Sequence, residues 1–363
     1  MLTTFFLSGT SVLIKDNLKM KKTFYLLYVL LLIIACATQR PEKPENVFMN
    51  NAIREAKAAN KLLILDFWSP SSAPSVALKK DIFENENNAG FLDKNFIINR
   101  LSPSDSVYHP LMKRFRVEFQ CTVIVMDKNG NEIDRSVGYN GSKDSYIDYL
   151  KDISEGKNLY SVVFQTYKKD TMNVKNNYVL AKKYLFRYQI KDAVGMFSRV
   201  LALDPDNKQG LNPECRFRIA ESELFLTGKV SGMQQYVKRN INKQWVPKAY
   251  GYLIDNLISN NDTTNCISLC EEASYKFPDN SEILNKYARA IISFKMKNDY
   301  GKALVMVRKS ISLNPGIAGF YFTEAWIYSE MGDKSKAAQL QNKAIELFPN
   351  TSSIQDHEKF GAE

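Results

Sequence analysis

The amino-acid sequence predicts an α/β domain over residues 46–158 followed by an all-α array of helical repeats over residues 161–351. Three observations carry this. Short apolar runs alternate with amphipathic stretches in the first half, which is the signature of helices packed on a central sheet. Strand patterns then give way to helical ones from about Ser161 onward. Finally, helix stops recur at Pro205, Pro278, Pro315 and Pro349, at spacings of 73, 37 and 34 residues, close to two, one and one units of a helix hairpin. A chain of 363 residues with 45% hydrophobic and 24% charged content has enough apolar material for about two folded domains, which argues against wholesale disorder.

The N-terminus comes first in order and carries a specific signal. Basic Lys19-Met20-Lys21-Lys22 precedes an apolar run from Phe24 to Ala35, then Cys36 and a polar segment rich in Pro and Glu. The apolar run falls well short of the roughly 20 residues a membrane helix needs and fits the central region of a signal peptide. Ile33-Ile34-Ala35-Cys36 resembles the bacterial lipobox, with Ile33 where Leu is more usual. The resemblance implies a signal peptide over residues 1–35, cleavage before Cys36, lipidation of its sulfur and new amine, and a tether over residues 36–45. Several acyl chains, at about 0.8 kcal/mol per buried methylene, make a durable anchor where one chain is marginal. Lys15 and Asp16 interrupt the apolar stretch upstream, so a complete signal peptide begins at Met20 and residues 1–19 read as a mis-called start. Ala37 is not the Asp associated with inner-membrane retention, so the analogy favours the outer membrane, facing the periplasm.

In the first domain Asn51 to Asn60 reads as a helix, and Leu62 to Trp68 as a strand buried on both faces. A helix carrying Val76, Leu78 and Phe83 should follow, then a strand from Phe96 to Leu101 and a short helix from Pro110 to Arg116. Thr122–Met126 and Glu132–Val137 flank Asn129-Gly130, which marks a hairpin. Tyr146, Ile147, Tyr149, Leu150 and Ile153 recur at helical spacing and close the domain.

This order of elements, with Leu65-Asp66-Phe67-Trp68, Phe83-Glu84, Asp93-Lys94-Asn95-Phe96 and Met126 to Gly130 through Gly138-Tyr139, resembles the thioredoxin-like family. The resemblance places the two redox cysteines at Ser72 and Ser75, so Ser72-Ala73-Pro74-Ser75 keeps the spacing and the proline without either sulfur. It places the family's cis-proline at Cys121, followed by a retained Thr122, and makes Asp66 the buried carboxylate that assists the resolving thiol. Disulfide exchange needs a thiolate, which a serine hydroxyl cannot replace. With no thiol to serve, Asp66 becomes a structural residue. Without proline, a cis bond before residue 121 would cost about 2.5–4 kcal/mol, so a trans Gln120–Cys121 bond and a reshaped loop are expected. Cys121 is the one residue through which thiol–disulfide oxidoreductase or isomerase activity would survive; the alternative is a small residue filling the space proline left. His109, in Tyr108-His109-Pro110, reads as a surface or capping residue at a helix start.

The second half resembles tetratricopeptide repeats. The last unit carries Tyr321, Ala325, Tyr328, Gly332, Ala337, Ala344 and Pro349, and the unit ending at Pro205 carries Leu180, Ala181, Tyr184, Ala193 and Phe197. Tyr287, Ala290, Ala303 and Pro315 mark a third. A fourth uses Tyr250, Leu253 and Leu257, with Cys266, Cys270 and Ala273 at packing positions; residues 206–246 are helical but match poorly. That register makes Cys266 and Cys270 core residues, and without further donors nearby they do not read as a zinc site. Cys121, Cys215, Cys266 and Cys270 form an even set able to pair in an oxidising compartment, with connectivity open. Residues 352–363, with His357, read as a polar tail.

The formal charge of +10 includes four lysines and one aspartate of the signal segment, and the remaining surplus is scattered. It forms no basic stripe of the kind nucleic acid requires. The sequence thus predicts a membrane-tethered adaptor for proteins or peptides, with no metal and no cofactor.

Overall fold

The computed structural model describes residues 42–139, 141–239 and 244–347. The signal segment, Cys36, Pro349 and the tail with His357 lie outside the described residues. The first described helix, α1 (Pro44–Ala59), starts inside the segment expected to be a tether. Pro44 opens it without penalty, because the first helical N–H has no intrahelical partner to lose.

The sheet follows from one buried strand. β1 (Leu62–Phe67) is a run of apolar residues around Asp66, and five of its six residues are buried. It pairs parallel with β2 (Phe96–Leu101) and antiparallel with β3 (Thr122–Met126), which pairs antiparallel with β4 (Glu132–Val137). The order β2-β1-β3-β4 puts the most apolar strands in the middle.

A parallel pair needs a crossover, and here it is broken where one helix was expected. α2 (Ala73–Leu78) passes into a π-turn over Lys79–Phe83, and α3 (Glu86–Asn95) restarts behind Asn85, whose side chain caps the Asn87 N–H at 3.0 Å. α4 (Tyr108–Phe115) opens two residues earlier than its sequence pattern suggests. The β3–β4 hairpin turns at Gly130, with φ of +84°, while Asp127 accepts the Asn129 and Asn131 N–H groups at 2.8 and 2.9 Å. α5 (Lys143–Ser154) closes the domain, burying Tyr146, Leu150 and Ile153 against Ile64, Leu78, Val123 and Val125.

After α6 (Tyr160–Lys169) come five helix hairpins: α7 (Val174–Phe186) with α8 (Ile190–Leu203), α9 (Asn212–Thr227) with α10 (Ser231–Arg239), α11 (Val246–Ser259) with α12 (Thr263–Lys276), α13 (Ser281–Ser293) with α14 (Tyr300–Leu313), and α15 (Ala318–Glu330) with α16 (Lys334–Leu347). The pair α9 and α10 occupies the stretch whose sequence matched the repeat poorly. Small or aromatic repeat positions are buried as their register requires: Ala181, Ala193, Phe197, Tyr250, Cys266, Cys270, Tyr287, Ala303, Ala325 and Ala337 among them.

Four of the hairpins turn the same way. The first helix ends in a left-handed residue, namely Tyr188, Asn261, Lys295 or Gly332. The N–H of the following residue returns to a carbonyl five positions back, as from Gln189 to Tyr184 at 2.8 Å and from Asp333 to Tyr328 at 2.9 Å. This closure satisfies carbonyls the helix end leaves orphaned and strongly favours Gly or Asn at the left-handed position. Tyr188 and Lys295 are therefore exceptions, Tyr188 the aromatic one.

The first hairpin is joined to the sheet by charge. Asp134 on β4 is fully buried, and its two carboxylate oxygens accept from Lys183 Nζ at 2.7 Å and Arg187 Nη1 at 2.9 Å. Arg187 also reaches Glu132 at 3.2 Å, and Phe186 packs on Tyr149 with ring centroids 4.5 Å apart. Removing one partner of a buried ion pair strands the others. Asp134→Ala should cost about 3–5 kcal/mol of unfolding free energy, and Asp134→Ala with Lys183→Met clearly less. Urea denaturation of the two variants beside the parent measures the difference.

Candidate functional site

The end of β1 delivers Asp66, Phe67 and Trp68 to the turn before α2, where the sequence placed its candidate site. Ser72 sits just before α2 and caps it, its Oγ accepting the Ser75 N–H at 3.4 Å. Serine is a favoured residue at this position for that reason. Ser69 Oγ and Ser71 Oγ lie 2.8 Å apart, a second local bond holding the turn. Ser75 is buried, and its hydroxyl approaches the Cys121 thiol without forming a well-aligned hydrogen bond. Thus Ser75 and Cys121 come together, while Ser72 faces a backbone amide.

Cys121 is held by its main chain. Its N–H donates to the Phe67 carbonyl at 2.9 Å, and its carbonyl accepts from Gly138 at 2.8 Å, so it bridges β1 and the end of β4. No peptide bond among the described residues is cis, and Cys121 instead takes a left-handed φ of +65°. Cys121 is 1% exposed, which fits a small residue filling the space proline left and not an exposed thiol. Burial, reinforced by the negative charge of Asp66 and eased slightly by Ser75, pushes its thiol up to about 12. At neutral pH that sulfur is protonated, and protonated sulfur is a poor nucleophile.

Asp66 is 2% exposed, and burial raises its carboxyl to about 6 against the opposing charge and hydrogen bond of Arg100. Arg100 Nε donates to Asp66 Oδ2 at 2.9 Å. Arg100 is the residue the sequence reading missed. It stands opposite Asp66 in the parallel β1–β2 register, and its guanidinium lies 4.9 Å from the Trp68 ring centroid and 5.7 Å from that of Phe83. Lys79 Nζ lies 5.1 Å from the same Trp68 ring and 3.1 Å from Glu84. Arg100 thus pairs with the carboxylate and, with Lys79, lies over the Trp68 ring. His109 is exposed on α4 with its ring edge-on to Tyr108 at 5.2 Å, and it offers no base to the serines.

The remaining cysteines are free and buried, without a disulfide among the described residues. Cys266 lies against the Ile254 carbonyl at 3.9 Å, inside the repeat core. No group of three or more potential ligands is poised to hold a metal among the described residues.

A second candidate surface runs along the first helices of the hairpins. Tyr178 donates to Glu214 at 2.6 Å, Arg218 to Glu221 at 2.7 Å, Tyr252 to the same Glu221 at 2.7 Å, and Lys286 to Asp255 at 2.5 Å. This polar ladder crosses α7, α9, α11 and α13. Between α11 and α13 it borders a cavity of about 420 Å³ that includes Lys248, Tyr252 and Lys286. Gly251 makes the cavity's floor, since a side chain there would meet Lys286 Cε at 2.9 Å.

With this geometry in view, comparison with known families matches a thioredoxin-like domain at residues 49–154 and a tetratricopeptide repeat at residues 318–351. The chain is a mixed α/β sheet domain followed by an all-helical array of tetratricopeptide-like repeats. No curated protein matches its sequence. Among solved structures it is similar to YrrB, titled a tetratricopeptide-repeat protein with an unusual peptide-binding site, at 11% identity and a TM-score of 0.38, over 55% of this chain and 97% of that one. It is similar to MamA of Desulfovibrio magneticus at 14% identity and a TM-score of 0.38, over 48% and 94%. Similarity to yeast Tom70 is 14% identity at a TM-score of 0.44, over 56% of this chain and 42% of that one.

The Asp66 carboxyl makes stability depend on pH. Its folded value of about 6 lies above its ordinary value of 3.8, so the folded state holds that proton more tightly. The contribution is fully present below pH 3.8 and is lost as pH rises through about 6. Linkage puts the total at about 3 kcal/mol. Asp66→Asn should remove this fall, so that unfolding free energies of parent and variant, measured in urea from pH 4 to 7, diverge in the variant's favour as pH increases.

Proposed function

We propose that this chain is a lipid-anchored adaptor of a bacterial cell envelope, in which a redox-inactive thioredoxin-like domain and a repeat array bind proteins or peptides. One observation carries the reading: the turn after Trp68 has serine at both positions where disulfide exchange needs sulfur. The nearby Cys121 supports the same conclusion, being buried and pushed up to about 12, so an oxidoreductase or isomerase working through it lacks a thiolate. The fold by itself does not confer the activity, because chemistry resides in the site.

Binding is the use that stacked helix hairpins suit. They present long faces built of many side chains, of which the polar ladder over α7, α9, α11 and α13 is this chain's version. The peptide-binding site named for YrrB is consistent with that use. Anchoring rests on the sequence alone, through Cys36 and the apolar run before it, and the outer membrane facing the periplasm is the proposed location. A scattered positive surplus gives no support to nucleic-acid binding.

Two measurements test this. Purified chain should reduce insulin disulfides no faster than dithiothreitol alone, with Cys121→Ser indistinguishable from the parent; a Cys121-dependent rate would overturn the adaptor reading. In a bacterium with the lipoprotein pathway, the parent should incorporate labelled palmitate and sediment with membranes. Cys36→Ala should do neither.

A further inference from the structure

The exceptional turn residue of the first hairpin points to a binding surface. In its left-handed position the other hairpins carry Asn261, Lys295 and Gly332, whereas Tyr188 is bulky and aromatic at a φ of +62°. A residue of this kind is an outlier there and needs a compensating role for its ring. Two other rings lie against it. Its centroid is 4.1 Å from Phe119, in the loop leading to Cys121, and 5.6 Å from Phe225, near the end of α9. Three rings from three separate segments thus form a continuous strip. Its two ends stay open to solvent, Phe119 at 40% and Phe225 at 62% exposure, although burying such rings is favourable when a partner is present.

Beside the strip lies a cleft of about 390 Å³ whose lining includes Val117, Phe119 and Tyr188 together with Arg116, Arg135 and Arg187. Glu118 is the single carboxylate in the lining. Two of the arginines are committed: Arg135 to Glu132 at 2.5 Å, and Arg187 to Asp134 at 2.9 Å. Arg116 is exposed, takes a left-handed φ of +52° after α4, and makes no ion pair or side-chain hydrogen bond among the described residues. A guanidinium beside an aromatic face is matched by a carboxylate next to an aromatic side chain. The path along the three ring centroids is about 10 Å, the reach of three extended residues.

We propose that the strip Phe119, Tyr188 and Phe225, with Arg116 beside it, docks an extended acidic peptide bearing aromatic residues, contributed by a partner protein. This deepens the binding-module reading above and rests on it. The peptide's rings would cover Phe119 and Phe225, with a carboxylate meeting Arg116. The sheet domain and the array share the site, which neither makes alone.

The test uses full-length chain and a fluorescein-labelled peptide of alternating Phe and Glu, read by anisotropy. Comparators replace Glu with Lys, or Phe with Ser. The acidic aromatic peptide should bind at least tenfold more tightly than either comparator. Tyr188→Gly and Arg116→Gly should each weaken it at least tenfold while leaving the melting temperature at or above the parent's, because glycine suits both left-handed positions. Lys343→Ala, at an exposed position of α16, should leave binding unchanged, while Lys286→Ala, in the cavity between α11 and α13, probes the array's own groove. Equal binding of the three peptides overturns the proposal. Loss on Lys286→Ala without loss on Tyr188→Gly also overturns it, and moves the peptide to the array's own groove with the adaptor reading intact. Concentration-dependent dimerisation abolished by Tyr188→Gly would assign the strip to a second copy and overturn the peptide assignment. A crosslinked partner retained by the anchored parent and by Tyr188→Gly alike would sink this site while leaving the adaptor reading standing.

Discussion

The arrangement of the two halves depends on one carboxylate. Asp134 lies on β4 with no solvent exposure, and a buried charge of this kind is intolerable without close counter-charges. Both counter-charges come from the repeat array, one helical turn apart on α7, where Lys183 and Arg187 share a face. The array's first helix is therefore part of how the sheet satisfies its own strand. Tyr149 and Phe186 close the same contact with apolar surface, and Lys183 lies 5.4 Å from the Tyr149 ring. Because the C-terminal turn of α7 is pinned, the turn that follows is carried to a defined place, and Tyr188 meets Phe119 there. A flexible linker would give no such meeting.

The turn after β1 is organised by serine hydroxyls and main-chain bonds. Ser72 still starts α2, now as a hydroxyl cap, and Ser75 still packs beside residue 121. The loop at Cys121 keeps its main-chain bonds to β1 and β4 through a left-handed residue where the family has a cis-proline. Asp66 is the buried partner of Arg100, and its cost in stability at neutral pH comes from keeping a carboxylate in an apolar place.

Much of this was legible in the chain because the relevant signals are local. The run Leu62 to Phe67 marks a central strand by composition, Asn129-Gly130 marks a hairpin by backbone freedom, and prolines at helix stops mark the period of the repeats. The break of the first crossover into α2, a π-turn and α3 was not legible, because the apolar spacing through Phe83 is compatible with one helix. The helicity of residues 206–246 was readable, but its pairing into α9 and α10 emerges from packing against neighbouring hairpins.

By itself the sequence determined the two fold classes, the absence of sulfur at Ser72 and Ser75, and the packing role of Cys266 and Cys270. Each is written in residue type and spacing along a single element. Only the tertiary structure decided that Arg100 neutralises Asp66, that Cys121 is sealed from solvent, that Asp134 ties β4 to α7, and that Phe119, Tyr188 and Phe225 line up. These join residues 34, 49, 53 or more than 30 positions apart. Their meeting is set by strand register and helix docking, which no local pattern encodes.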